Sequence, residues 1–160
     1  MHGAKFVGYY PGAIGEVTGL HATYYAQHWC FDLSFEAQVG RELAEFLERA
    51  DPARDLFLAA RGEDGMAGCV ALDSGFEEGA RLRWFIVNPV WHGQGLGRKL
   101  LSRSLDFARQ AGHRKVFLWT FAGLDAARRL YEQAGFTLAE EHVVDQWGNH
   151  ITEQKFELYL

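Results

Sequence analysis

The chain has 160 residues, which is a usual length for one domain and enough to bury a substantial core. Hydrophobic residues make up 48% of it and aromatic residues 14%, a balance that is typical of a mixed α/β protein and excludes a disordered chain. The formal net charge is −5 and no long run of Lys or Arg occurs, so a nucleic-acid-binding surface is not expected and an anionic ligand must be held locally.

The N-terminal third is predicted to form one strand and two helices. Residues 5–10 are expected to form a short strand that Pro11-Gly12 ends, and a helix should follow from about Ile14 to Trp29. Ser34 is the expected N-cap of a second helix, in which apolar residues recur at helical spacing until Asp51-Pro52 stops it. This spacing indicates that the second helix buries one face.

A hairpin is predicted next. Strand-like residues 55–61 and 66–73 flank the turn Gly62-Glu63-Asp64-Gly65, which is a typical hairpin signal. Cys69 lies in an apolar run of the second strand, where an inert buried thiol is expected.

The middle of the chain is predicted to contain two strands, each followed by a helix. Residues 80–88 form the first strand, and a glycine-rich segment leads from it into a helix that Gly112 ends. A near-continuous apolar run over residues 115–120 predicts the second strand, and residues 125–134 predict the second helix.

The last predicted element is a hairpin formed by residues 137–145 and 152–160. Its turn is expected at Trp147-Gly148-Asn149-His150. No linker, repeat or low-complexity segment divides the chain, so residues 1–160 are expected to form a single domain. Alternation along the final strand places three residues inward, namely Phe156, Leu158 and Leu160.

The glycine-rich segment predicts an anion-binding loop. Gly93, Gly95 and Gly97 stand at alternate positions after a strand and open a helix, so backbone N–H groups can point at a phosphate beside the positive end of the helix dipole. A dinucleotide fingerprint would need Gly where Arg98 stands, and a Walker A loop would need Gly-Lys-Ser/Thr where the chain reads Gly97-Arg98-Lys99. The alternative without a ligand is a tight strand-to-helix turn.

Two motifs give the chain a resemblance to a known family. The run Val87-Asn88-Pro89-Val90-Trp91-His92-Gly93-Gln94-Gly95-Leu96-Gly97 and the later run Leu130-Tyr131-Glu132-Gln133-Ala134-Gly135-Phe136 resemble the two signatures of the GNAT acetyltransferases. Three shorter segments, Leu118-Trp119-Thr120, Ala126-Ala127-Arg128 and Gln146-Trp147-Gly148, look most like the acetyltransferase domains that are fused to MarR-type regulators.

The resemblance implies a fold, a co-substrate and an activity. The implied fold is mixed α/β, with about seven strands in a mostly antiparallel sheet that opens near its centre and with helices on both faces. The implied activity is transfer of the acetyl group of acetyl-CoA to a primary amine by direct attack in a ternary complex. A small amino-acid-like amine is the expected acceptor. Two alternatives remain open, namely an acyl-CoA sensor without turnover and a protein N-acetyltransferase.

The resemblance also implies site residues. Tyr131 matches the family tyrosine near the thioester sulfur, and a phenol can return a proton to the departing thiolate. Three residues are expected to contact the acceptor, namely Arg83, Trp119 and Tyr25. The guanidinium of Arg83 is expected to bind a carboxylate of the acceptor. The residues expected to bind CoA are Phe85, Ile86, Val87, His92, Gly93, Gln94, Gly95, Leu96, Gly97, Arg98, Ala127 and Arg128.

The chain departs from the family pattern at three positions. His92 replaces Arg or Gln at the head of the loop, and Leu124 replaces a frequent Asn. Arg83 stands where several members carry the glutamate base, and a cation cannot take that role. The general base therefore stays undetermined, with His21, His142 and Asp145 as the remaining candidates.

Compartment and partners are predicted from simple counts. Two cysteines cannot form a disulfide scaffold, no apolar stretch approaches a membrane span, and the start Met1-His2-Gly3-Ala4-Lys5 lacks a signal peptide's apolar region. A cytoplasmic location without membrane or nucleic-acid partners is expected. Acetyl-CoA and a small-molecule amine are the expected ligands, no metal is expected, and homodimer formation is left open.

Overall fold

The computed structural model describes residues 3–160, in which seven strands form one sheet with the order β1-β2-β3-β4-β5-β7-β6. Strands β4 and β5 are parallel, and every other neighbouring pair is antiparallel. This architecture confirms the predicted mixed α/β fold. In chain order the elements are β1 (Lys5–Val7), α1 (Ala13–Trp29), α2 (Leu33–Arg49), β2 (Leu56–Gly62), β3 (Gly65–Asp73), β4 (Ala80–Val87), a 3₁₀ turn (Pro89–Trp91), α3 (Leu96–Gln110), β5 (Lys115–Phe121), α4 (Asp125–Gln133), β6 (Thr137–Gln146) and β7 (Asn149–Tyr159).

Helices cover both faces of the sheet because each carries one apolar side. Leu100 and Leu105 of α3 pack with Val70 and Leu82 of the central strands, and Tyr131 of α4 joins the same cluster. On the opposite face the buried cluster is formed by α1, α2 and the central strands, and its members are Val17, Leu43, Phe46, Ala59, Met66, Cys69, Ala71 and Ile86. Strand β3 is therefore buried on both faces, as its apolar sequence requires.

The sheet opens between β4 and β5. The two strands pair only where residues 80–82 face residues 116–118, although β4 continues to Val87. Trp84 has a left-handed backbone with φ of 48°, and the register of β4 against β3 shifts at the same place. A bulge of this kind bends a strand, so the second half of β4 turns away from β5. The opening lies where the family resemblance implied it.

Element boundaries differ from the predictions at several points. Strand β1 ends at Val7, three residues earlier than expected. Asp32 and not Ser34 caps α2, because the Asp32 carboxylate accepts the Ser34 N–H at 3.0 Å. The last turn has two central residues, Trp147 and Gly148, with φ of 54° and 82°, so the strands reach closer to it than predicted.

Two further findings concern the ends of the chain and its cysteines. The prediction that Leu160 faces inward is wrong, because 38% of this terminal residue is exposed. Cys69 is a buried thiol as predicted, and Cys30 is exposed.

Met1 and His2, part of the start used to argue against a signal peptide, lie outside the described residues. Within residues 3–160, none of the helices has the length and apolarity that crossing a membrane demands.

Candidate active site

A cavity of about 1000 Å³ lies where β4 and β5 separate. Its wall includes the glycine loop and α4 on one side, and α1, α2 and the turn of the last hairpin on the other. Two of the residues predicted to bind CoA, Gln94 and Arg128, are absent from this wall. The other predicted site residues lie on it, and they are Tyr25, Arg83, Phe85, Ile86, Val87, His92, Gly93, Gly95, Leu96, Gly97, Arg98, Trp119, Ala127 and Tyr131.

The glycine loop leaves the N-terminus of α3 open toward the cavity. Gly95 precedes the helix with φ of 78°, and a Cβ there would meet no protein atom within 4 Å. A Cβ on Gly97 would lie 3.1 Å from Leu130 Cδ1, so this glycine lets α3 approach α4 closely. Because the first turn of a helix has no intrahelical acceptors for its N–H groups, these donors are available to an anion.

Polar side chains near the loop are partly engaged with the protein. Arg98 donates to Gln133 Oε1 at 3.2 Å, which joins α3 to α4. His92 Nε2 lies 3.0 Å from the Val87 carbonyl oxygen, so this nitrogen donates to the end of β4 and not outward. Arg128 is turned toward Glu132 at 2.9 Å. The cradle is therefore formed mainly by backbone.

Tyr131 of α4 lies on the cavity wall. It is 5% exposed and contacts the rings of Phe85, Phe136 and Phe156. Burial, with a smaller contribution from the nearby Tyr25, raises the pKa of Tyr131 well above its usual value. The phenol therefore stays protonated at neutral pH and can act as a proton donor.

Aromatic residues form the side of the cavity opposite the glycine loop. The Tyr25 ring packs against Phe31, Phe35 and Phe121 at centroid distances of 5.7, 5.3 and 5.7 Å. Burial raises the pKa of Tyr25 as well, so its hydroxyl is neutral. Trp119 of β5 adds a half-buried indole to this aromatic side.

Arg83 is already neutralised by protein carboxylates. Its guanidinium donates to Asp73 Oδ2 and to Glu42 Oε2, both at 3.1 Å. Arg49 donates to both oxygens of Asp73, to Oδ1 at 3.0 Å and to Oδ2 at 2.8 Å, so it shares Oδ2 with Arg83. Burial alone would raise the pKa of Asp73, but hydrogen bonds from Arg49, the Gly75 N–H and Arg83 bring it below its usual value. Asp73 is thus ionised and shared between two arginines.

Only one of the three candidate bases lies on the cavity wall. His21 is 5% exposed, and its Nδ1 donates to the Val17 carbonyl oxygen at 2.8 Å, so Nε2 carries a lone pair that has no hydrogen-bond partner within residues 3–160. Burial, opposed in part by this hydrogen bond, lowers the pKa of His21 to about 4. His142 and Asp145 are exposed on β6. His142 pairs with Glu140 of the same strand, and Asp145 pairs with His150 of β7.

Charged residues that sequence reasoning missed also line the cavity. They are Glu42, Arg81, Asp125, Arg129 and Glu153. The sequence could have predicted Arg81, because it stands two positions before Arg83 on one strand and so shares its face. No sequence pattern indicates Glu42 or Glu153, since only the packing of α2 and β7 brings them to β4.

The open sheet, the glycine loop at a helix start and the buried tyrosine are the features that the resemblance to acetyl-CoA-dependent acyltransferases implied. A family model described as the Acetyltransferase (GNAT) family matches residues 20–136. The chain therefore belongs to this family.

Individual relatives match over shorter stretches or at lower identity. A mycothiol acetyltransferase of Corynebacterium glutamicum is 43% identical over 58 residues, which cover 36% of this chain and 20% of the relative. An L-methionine sulfoximine/L-methionine sulfone acetyltransferase of Salmonella typhimurium is 40% identical over 55 residues, which cover 34% of this chain and 32% of the relative. The chain thus spans a third or less of these relatives' length.

A solved structure extends the likeness over the whole fold. A Salmonella typhimurium protein solved with its cofactor acetyl-CoA has a TM-score of 0.73 and 18% identity, covering 99% of this chain and 94% of that one. At this identity the likeness supports the fold alone.

Proposed function

We propose that this protein transfers the acetyl group of acetyl-CoA to the primary amine of a small amino-acid-like metabolite. The observation that carries the proposal is the single cavity that runs from the glycine loop past Tyr131 to the aromatic side. Such a cavity accommodates donor and acceptor together, so the amine attacks the thioester directly in a ternary complex. The names of the relatives support small-molecule acceptors, one of them an amino-acid analogue.

The donor half is assigned to β4 and α3. Residues 94–98 bind the CoA pyrophosphate through backbone N–H groups at the start of α3. Arg98 and the exposed Arg129 add positive charge beside this loop. Beyond Leu82, β4 has no partner in β5, so backbone groups of residues 85–87 are free to bind the pantetheine arm and the acetyl carbonyl.

Tyr131 and His21 are assigned to the proton transfers. The neutral amine forms a bond to the thioester carbon, and the carbon–sulfur bond then breaks with its electron pair leaving on sulfur. Tyr131 donates its hydroxyl proton to that thiolate and regains one from solvent. His21 has a pKa of about 4, too low to deprotonate an ammonium by itself, so its free Nε2 orients a water that carries the amine proton away.

A second candidate function is an acyl-CoA sensor without turnover. Arg83 in place of the strand glutamate favours it, because no carboxylate base occupies that position and the guanidinium is neutralised internally. The resemblance to acetyltransferase domains fused to MarR-type regulators points the same way. Transfer to protein amines is the third candidate.

One screen separates the three functions. Thiol release from acetyl-CoA is measured with amino acids, polyamines, aminoglycosides and peptides, and CoA binding is measured by calorimetry on the same protein. We expect release with amino acids or closely related amines. CoA binding without release from any class would favour the sensor, and release with peptides alone would favour a protein acetyltransferase.

A further inference from the structure

Arg81 is a cation on the cavity wall that forms no ion pair with any residue of the described part of the chain. It lies on β4 two residues before Arg83, so both side chains project from the same face of the sheet. Its Nε is buried and makes no hydrogen bond within residues 3–160. No carboxylate in that range forms an ion pair with its guanidinium. The Phe76 ring, 5.5 Å from its Cζ, supplies only an aromatic contact.

The other cations on this face are paired with carboxylates. Arg83 has Asp73 and Glu42, and Lys155 of β7 is surrounded by three glutamates. Asp73 stands opposite Arg81 in the register of β3 and β4, but its two oxygens are occupied by Arg49 and Arg83. Among the described residues, Arg83 and Lys155 are thus paired with carboxylates, whereas Arg81 forms no ion pair.

An unpaired, largely buried guanidinium is energetically costly. Burial, and then repulsion from Arg83, lower the pKa of Arg81 to about 10, while Glu42, Asp73 and Glu153 act in the opposite direction. Arg81 is therefore still charged at neutral pH. Desolvating a charge without a partner disfavours the folded state, and an anion entering the cavity would remove that penalty. The planar fork of a guanidinium matches a carboxylate in bidentate fashion.

We propose that Arg81, and not the internally paired Arg83, binds the carboxylate of the acceptor, so that the acceptor is an amino acid. The inference rests on the proposed acetyl transfer and names its acceptor class. Glu153 of β7 lines the same cavity and forms no ion pair with another described residue, and its carboxylate complements the ammonium of such an acceptor. Arg83 positions Glu42 and Asp73 beside the site.

The test measures binding and so does not depend on turnover. With CoA present, the twenty common amino acids and their carboxamides are titrated into the full chain while its Tm is followed. We expect at least one amino acid to bind about tenfold or more tightly than its amide, since hydrogen bonds to charged groups are the stronger class. In Arg81→Gln this preference should vanish, while CoA affinity measured by calorimetry stays as in the parent.

Arg109→Gln is the matched control, because it removes an equivalent charge from the exposed side of α3. It should keep the parent's preference. If Arg81→Gln does not fold, Arg81→Lys provides the same comparison and should weaken the amino acid several-fold without affecting its amide. The inference is overturned if no amino acid binds the parent better than its amide, or if the preference persists in both Arg81 variants. Absence of thiol release would overturn the proposed acetyl transfer separately.

Discussion

Burial decides the protonation state of the two side chains assigned to proton transfer, Tyr131 and His21. The Tyr131 phenol is kept neutral because its anion would be desolvated, and the His21 imidazole is kept neutral because its cation would be. Their hydrogen bonds differ, however. His21 is anchored to the Val17 carbonyl, whereas the Tyr131 hydroxyl makes no hydrogen bond with any described residue and is free for a ligand.

Replacing Tyr131 by Phe tests the proposed proton donor. Because the hydroxyl has no described protein partner, its loss should leave Tm within a few degrees of the parent, and acetyl-CoA affinity should hardly change. A positioned general acid contributes roughly 10²–10⁴-fold to rate, so kcat should fall by that factor. Steady-state kinetics, calorimetry and a melting curve on one variant give all three quantities. A kcat within a few-fold of the parent would show that water or another group, and not Tyr131, donates the proton.

The buried His21 makes stability depend on pH. Its pKa of about 4 in the folded chain lies below the unfolded value of 6.5, so between these values the unfolded state binds more protons and stability falls as pH falls. A fall of two pH units between these two pKa values should lower the free energy of unfolding by about 2 to 3 kcal/mol. Urea unfolding at pH 7 and pH 4.5 should show a smaller loss for His21→Asn than for the parent. Equal losses in the two proteins would refute the linkage.

At the scale of elements, α3 carries a glycine with a left-handed backbone at each end. Gly95 and Gly112 have φ of 78° and 82°, and a Cβ on either would meet no protein atom within 4 Å. Aspartate at either position therefore meets the same backbone strain. The two sites differ in that Gly95 faces the cavity at the positive end of the helix dipole, which makes them a matched pair.

Gly95→Asp should abolish CoA binding, because it brings a side chain and a negative charge into the proposed pyrophosphate cradle. Gly112→Asp should cost about 1 to 3 kcal/mol of stability from the strained backbone and leave CoA affinity unchanged. Calorimetry with CoA and thermal unfolding of both variants provide the comparison. Equal CoA affinities in two folded variants would exclude residues 94–98 as the phosphate site.

Local signals made the glycine loop and most element boundaries predictable, whereas long-range contacts decided the rest. The run from strand β4 through Gly95 into α3 is encoded within a dozen residues, so spacing alone located it. The neutralisation of Arg83 depends on Asp73 and Glu42, which are 10 and 41 residues away in the chain. No local pattern reports such a pairing, and Arg83 therefore seemed available for the acceptor.

At the scale of the whole molecule, the last hairpin is tied to the first two helices. Trp147 Nε1 donates to Gln38 Oε1 at 2.9 Å, and its carbonyl accepts the Asp32 N–H at 3.0 Å. Asn149 Nδ2 donates to the Trp29 carbonyl oxygen at 2.7 Å. These contacts join distant parts of the sequence across the side of the cavity assigned to the acceptor, while the donor side is formed by β4, α3 and α4.

Trp147→Phe tests this division of the cavity. The change removes the hydrogen bond to Gln38 but keeps an aromatic ring against Phe31 and Phe35, so the acceptor side should loosen while the donor side stays intact. A neutral hydrogen bond is worth about 1 kcal/mol, so the acceptor KM should rise up to about fivefold with CoA affinity unchanged. Val143→Ala, at an exposed site on β6, is the control and should alter neither quantity. If CoA affinity fell in parallel with acceptor binding, the two ligands would share this wall and the division would be wrong.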